Sequence, residues 1–300
     1  KKGFHHPFII RIPKLTGNIS EDLKSMKSTL LAEGSNEFLT MNNDEVVSKV
    51  LSTYNGWYSS VLGDAGHYIS MMSLFPRPTE DGLLYTHSLD RDTLFGTESY
   101  LNSLGRGNLY RIDKQYDAMI SETIKILSGL GKSVDQKVFL IGFSASSDFA
   151  TRFNYTHPDR AKAIVVNSAP TLPLTEYKGM TLNFPLGMAD IAKVTGKPFD
   201  VKKFKAVPQF WHTGDKDLND GSYYSDGWGN YGNPSLDYNQ EGIDYRKAFG
   251  NDIVARKALI EKILTDSGFS NIKHKTYKGV EHGWNDEIVT DALTFLEKNQ

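Results

Sequence analysis

Lys137-Val-Phe-Leu-Ile-Gly-Phe-Ser-Ala-Ser-Ser-Asp-Phe-Ala-Thr-Arg-Phe153 is the stretch whose reading decides the fold of this chain. It opens as an apolar run of branched and aromatic side chains, the composition of a strand buried on both faces, and continues as an amphipathic helix. Between the two lies Gly142-Phe-Ser144. A serine at a sharp strand-to-helix turn has its hydroxyl lifted above the sheet, and a glycine two residues earlier leaves room for the backbone. The helix that follows points its first N–H groups at the place where negative charge would develop on a bound carbonyl oxygen. The pattern departs from Gly-x-Ser-x-Gly, because Ser146 stands two residues after Ser144. Ser146 is small, so the turn remains possible but tighter. The plainer reading of Ser144 is a helix N-cap, a position serine favours. Ser146 and Ser147 read as first-turn helix residues rather than as rival nucleophiles.

Outward from this stretch, short apolar runs alternate with segments of helical period. That rhythm predicts an α/β architecture, a mostly parallel sheet with helices on both faces. The expected strands are 8–12, 37–41, 68–74, 137–142, 163–167, 208–213 and 272–277. The clearest helix spans 112–130, where Ile112, Tyr116, Met119, Ile120, Thr123, Ile124 and Leu127 make one apolar stripe. Further helices are expected at 45–51, 146–155, 253–267 and 286–298. Two segments break the rhythm. Residues 170–207 read as a small cap insertion, and 221–250, rich in Tyr, Trp, Gly, Asn and Asp, read as a long aromatic loop. At 300 residues the chain is expected to form a single domain, 1–300, carrying both.

Composition narrows the function classes. The 34 Lys and Arg against 36 Asp and Glu leave a net charge of −2 with no basic stripe, which argues against nucleic acid as a partner. The absence of cysteine removes disulfides, thiolate chemistry and cysteine metal sites. No apolar run approaches the roughly 18 residues of a membrane span. A chain opening on Lys1 without methionine fits a secreted or cell-surface protein and leaves a cytoplasmic one open.

A serine hydroxyl is a weak nucleophile near neutral pH. It needs a base within hydrogen-bond reach, and the base needs an orienting carboxylate. In a strand–elbow–helix scaffold the partners follow in the order acid, then histidine. The strand Pro208-Gln-Phe-Trp-His-Thr213 runs into Gly214-Asp-Lys-Asp-Leu-Asn-Asp220, where Asp217 holds the Gly-x-x-Asp position and Asp215 and Asp220 are fallbacks. The last strand runs into Lys278-Gly-Val-Glu-His-Gly-Trp-Asn285, which places His282 on the loop before the final helix. Each residue alone has a structural reading, a turn aspartate or a backbone-satisfied loop histidine. Order and placement together favour a triad. Among the other histidines, His5 and His6 read as a strand-leading loop, His157 as part of a helix terminator, and His87 precedes the serine and is misplaced for a base.

These residues, with Phe75-Pro-Arg-Pro78, Tyr85-Thr-His-Ser-Leu-Asp-Arg-Asp-Thr-Leu94, His157-Pro-Asp-Arg160 and Phe184-Pro-Leu-Gly-Met-Ala-Asp190, resemble a group of bacterial esterase-like α/β-hydrolases related to poly(3-hydroxybutyrate) depolymerases and feruloyl esterases. The resemblance spans most of the chain. It implies the α/β-hydrolase fold and a serine carboxylic-ester hydrolase acting without metal or organic cofactor on a small-molecule or carbohydrate-linked ester. The group's Gly-Phe-Ser-Ala-Ser-Gly has Ser147 here in place of its last glycine, a side chain that would either crowd the elbow or point to solvent. On this reading Ser144 attacks, His282 takes its proton and Asp217 orients the imidazole. The Ala145 N–H and one at Asn42 or Asn43 would hold the oxyanion, with Asn43 as the site residue. Arg77 would face a substrate carboxylate or else pair with Asp90 or Asp92. Trp228, Trp284, Tyr223, Tyr224 and Tyr231 would line an aromatic pocket or pack their loop. A peptidase or acyltransferase would use the same triad, and a non-catalytic binding protein would retain the fold without using it.

Overall fold

The computed structural model describes residues 3–34, 42–77, 86–167, 172–219 and 239–300. Nine strands are formed there: β1 (Phe8–Arg11), β2 (Leu31–Glu33), β3 (Ser70–Ser73), β4 (Val138–Gly142), β5 (Ala161–Asn167), β6 (Glu176–Tyr177), β7 (Met180–Thr181), β8 (Gln209–Gly214) and β9 (Ile272–Tyr277). Seven of them make one sheet in the order β1-β3-β2-β4-β5-β8-β9, and β6 and β7 form a separate hairpin. Only β1 runs antiparallel to its neighbour in the large sheet.

Both faces of the sheet are buried, as continuous apolar strands require. Val138 and Leu140 of β4 point into one cluster with Tyr116, Met119 and Ile120 of the helix Ile112–Gly129 and Phe149 and Phe153 of the helix Ala145–Thr156. Phe139 and Ile141 point the other way, into a cluster with Tyr58 and Leu62 of the helix Tyr58–Gly66 and Ile288, Ala292 and Leu296 of the helix Asp286–Lys298. The chain leaves β2 toward β3 on one side and leaves β4 toward β5 on the other. The connections therefore diverge between β2 and β4, and the crevice beyond their carboxyl ends is where an open α/β sheet binds ligands.

Most expected elements form within a residue or two of their expected bounds, and several do not. The expected strand 37–41 lies outside the described residues, and the strand beside β4 is Leu31–Glu33. It is only three residues long and ends on a charged side chain, so it presents no apolar run to read. The helix Tyr58–Gly66 begins Tyr-Ser-Ser and carries two glycines, a composition that hides its helical period. Of the segment read as an aromatic loop, residues 221–238 lie outside the described residues, whereas Asn239–Phe249 is a helix. That helix forms because Tyr245 and Phe249, four residues apart, are both buried on one side. In the segment read as a cap, Leu172, Leu182, Phe184, Met188 and Phe204 join the main core cluster. Arg91 pairs there with Asp190 in a buried ion pair and donates to the Phe184 carbonyl, fastening the segment to the helix Arg91–Phe95. Among the described residues no helix is long and apolar enough to cross a membrane.

Candidate active site

Ser144 stands between β4 and the helix Ala145–Thr156 with φ 56° and ψ −126°. A side-chain-bearing residue is held in such a region at a cost of about 1–3 kcal/mol, which persists only where the surroundings enforce it. They do so here from two sides. A Cβ on Gly142 would lie 2.2 Å from the Ser146 carbonyl oxygen and 2.6 Å from the Ser147 nitrogen, so glycine is what lets the helix start this close to the strand. The Ser146 hydroxyl accepts from the Phe143 N–H at 2.7 Å and lies 2.9 Å from the Phe143 carbonyl, closing the turn on itself. The Ser144 side chain makes no capping hydrogen bond. The plainer N-cap role is therefore not the one it fills. Among the described residues no acceptor takes the Ala145 N–H, which opens the helix beside that serine.

Ser147 neither crowds the elbow nor faces solvent. It is buried, and its hydroxyl accepts from the Asn167 N–H of β5 at 3.0 Å, tying the helix Ala145–Thr156 to the neighbouring strand. Ser146 Oγ also lies 3.0 Å from a carboxylate oxygen of Glu33, and the other Glu33 oxygen accepts from the Ser59 N–H at 3.3 Å. Glu33 is buried at the carboxyl end of β2, beside Ile141 of β4. One carboxylate thus joins the elbow to the first turn of the helix Tyr58–Gly66, where the N-terminal end of the helix dipole favours negative charge. Nothing in the sequence marks it, because an acid at the end of a three-residue strand carries no pattern.

Asp217 and His282 lie in contact. His282 Nδ1 lies 3.1 Å from both carboxylate oxygens of Asp217. The two loops that carry them are laced: Asp215 N–H donates to the Tyr277 carbonyl, Lys216 N–H to the Val280 carbonyl, and Gly279 N–H to Asp215 Oδ1 at 2.6 Å. A Cβ on Gly214 would sit 2.0 Å from the Val280 oxygen, so this approach also needs a glycine. Asp215, a fallback for the acid, instead braces the histidine loop. Asp220, the other, lies outside the described residues.

Burial acts to raise the Asp217 carboxyl, but it is outweighed by the hydrogen bond to His282, the Lys257 ammonium and the Asn219 N–H, and the group sits below the usual carboxylate range. Lys257 Nζ is 3.7 Å from Asp217 Oδ2 and donates to Thr213 Oγ1 at 2.8 Å. The sequence reading missed it, since nothing marks one lysine of the helix Ile253–Asp266 as facing the acid. The other imidazole nitrogen, His282 Nε2, is 3.1 Å from Asn219 Nδ2. Ser144 and His282 share no hydrogen bond among the described residues.

Aromatic rings floor the site. Phe143 packs against His282 at 4.8 Å and against Trp284 at 4.7 Å, and Tyr58 lies 5.0 Å from Trp284. Beneath them Tyr58 Oη and His212 Nε2 are 3.1 Å apart, and burial pushes the His212 imidazole down to about 4. Trp284 therefore packs the histidine loop onto the elbow. Asn43 opens the helix Asn43–Thr53, with its carboxamide oxygen 3.1 Å from His6 Nδ1, and Asn42 caps that helix. Arg77 is half-buried at the end of the described segment 42–77. Trp228, Tyr223, Tyr224 and Tyr231 lie outside the described residues. No group of metal-ligating side chains is assembled among the described residues.

The strand order, the divergence between β2 and β4 and the strained serine at the tip of β4 define an α/β-hydrolase fold. No protein-family model matches the sequence, and no curated protein does. Among solved structures the chain is similar to a ferulic acid esterase, at 12% identity over 99% of this chain and 100% of that one, with a TM-score of 0.48. It is similar also to a poly(3-hydroxybutyrate) depolymerase from Bordetella parapertussis, at 14% identity over 98% of this chain and 85% of that one, TM-score 0.47. A Bacillus cereus carboxylesterase matches at 12% identity over 98% and 94%, TM-score 0.44. The fold assignment rests on the topology and the elbow rather than on these likenesses.

Proposed function

We propose that the chain is a serine hydrolase that cleaves carboxylic esters through an acyl-enzyme. The observation that carries this reading is the backbone of Ser144, strained at the tip of β4 with a hydroxyl that caps nothing. A strained residue over-determined by its surroundings is a mark of a functional position. The Asp217–His282 pair supports it, since Asp217 holding Nδ1 leaves the Nε2 lone pair as the base.

In this reaction Ser144 Oγ attacks the ester carbonyl carbon as its proton passes to His282 Nε2. The tetrahedral intermediate collapses with that proton going to the departing alcohol, and water, activated by the same nitrogen, releases the acid. The oxyanion is held by the Ala145 N–H and by a second N–H at Asn42 or Asn43, with Asn43 as the site residue. Each such donor is worth about 3 kcal/mol. The substrate is a small-molecule or carbohydrate-linked ester, bound against Trp284 and against Arg77 and Trp228. Residues 1–300 act as one domain, with 170–207 as a cap and 221–250 contributing aromatic side chains.

The reading as a binding protein drew on Ser147, and the bond from Asn167 gives that residue a structural place that leaves the elbow intact. Replacing Ser144 with alanine tests the proposal. Turnover of p-nitrophenyl acetate should fall to the uncatalysed rate, and retention of most activity would sink it.

A further inference from the structure

We propose that Asn219 is a latch on the base: its carboxamide donates to His282 Nε2, the nitrogen that must take the Ser144 proton, and acylation requires that hydrogen bond to open. The inference rests on the triad reading above.

The chemistry at the ring leaves one role for the amide. Asp217 accepts from Nδ1, so a neutral imidazole carries its proton there and presents a lone pair at Nε2. Only a donor satisfies that lone pair, and Asn219 Nδ2 is 3.1 Å away. Ser144 Oγ–H needs the same lone pair, which lies in the ring plane and accepts one good hydrogen bond. The serine makes no hydrogen bond to the ring while the amide is there. The competitor is built into the acid loop: the Asn219 backbone N–H donates to Asp217 Oδ1 at 3.0 Å, so a turn of three residues presents the acid to one ring nitrogen and the amide to the other. The amide contact is exposed, so water or an entering substrate can exchange for it. Asn219 is thus a positioning residue that holds the imidazole in the correct tautomer at rest and yields on acylation.

The test uses the full chain with Asn219→Ala and Asn219→Asp. Both keep the backbone bond to Asp217, so the acid stays in place. Alanine removes the competing donor. The expected result is a kcat about two- to tenfold above the unsubstituted protein with KM unchanged, the value of one net hydrogen bond. Aspartate offers only an acceptor and holds a proton on Nε2, so kcat at neutral pH should fall about tenfold or more. A merely structural Asn219 predicts losses in both, so a kcat in Asn219→Ala at or below that of the unsubstituted protein overturns the latch while leaving Ser144-dependent turnover standing. A second readout is independent of activity: the 15N resonance of His282 Nε2 in the Ser144→Ala background, with and without Asn219→Ala. The latch predicts a downfield displacement on losing the amide, and an unmoved resonance overturns it. Should Ser144→Ala itself retain ester turnover, the triad reading fails, and the resonance alone decides whether the amide holds the ring.

Discussion

Replacing Gly142 with alanine inserts one methyl group where the turn between β4 and the helix Ala145–Thr156 leaves no room. The new Cβ would sit 2.2 Å from the Ser146 carbonyl oxygen and 2.6 Å from the Ser147 nitrogen, against 3.4 Å for ordinary contact. Both neighbours are backbone in the first turn of the helix Ala145–Thr156, so neither can rotate away. Relief requires the elbow to move by about 1 Å relative to β4, and a displacement of that size at a reacting centre costs on the order of a hundredfold in rate. Overpacking a buried site of this kind also costs about 1–3 kcal/mol of stability. The variant should therefore lose about two orders of magnitude in kcat/KM for p-nitrophenyl acetate while unfolding a few degrees lower in a thermal melt followed by circular dichroism. Labelling by a fluorophosphonate, which reports nucleophile geometry without a substrate pocket, should slow in parallel. Activity and melting temperature both unchanged would refute the idea that close helix–strand approach holds Ser144 in place.

Asp217→Asn keeps the shape of the acid but donates to Nδ1 instead of accepting, which favours the wrong imidazole tautomer. Steady-state kinetics should show kcat reduced about 10⁴-fold with little change in KM, and a loss smaller than tenfold would assign the orienting role elsewhere. His212 supplies a pH prediction. Its imidazole is pushed from 6.5 down to about 4 by burial, so between those values the unfolded chain binds a proton that the folded protein refuses. Stability is fully present above about pH 6.5 and declines as the pH falls, by about 2 kcal/mol at pH 5 from this group. Urea titrations at pH 7 and pH 5 should show a smaller difference for His212→Phe than for the unsubstituted protein, and equal differences would mean that His212 is not held neutral by the fold.

What the sequence discloses about this protein follows the range of the forces involved. The strand–Gly–Phe–Ser–helix stretch is legible because a strand buried on both faces must be apolar along its length, and because the elbow needs Gly142. The placing of Asp217 and His282 on neighbouring loops is legible because each follows a strand, at the end where loops meet. Leu31–Glu33 is not, since three residues carry no period, and a buried Glu33 reads like any surface acid until Ser146 and the Ser59 N–H are seen to surround it. Lys257 and Asn219 escape for the same reason. One is a lysine among several on its helix and the other a polar residue in a polar loop, and their meaning lies in distances to Asp217 and His282 that no local pattern encodes. Ser147 shows the reverse failure: the sequence frames it as a departure from glycine, whereas its hydroxyl has a partner 20 residues away on β5.

The acyl-enzyme is the central claim, and rapid-quench mass spectrometry of the intact protein reacting with p-nitrophenyl acetate tests it most directly. The expected result is a burst of one p-nitrophenol per chain, a mass increase of one acetyl group in the same interval, and a modified peptide in which Ser144 carries it. A linear release with no covalent species, or an acetyl group on any residue other than Ser144, would contradict it.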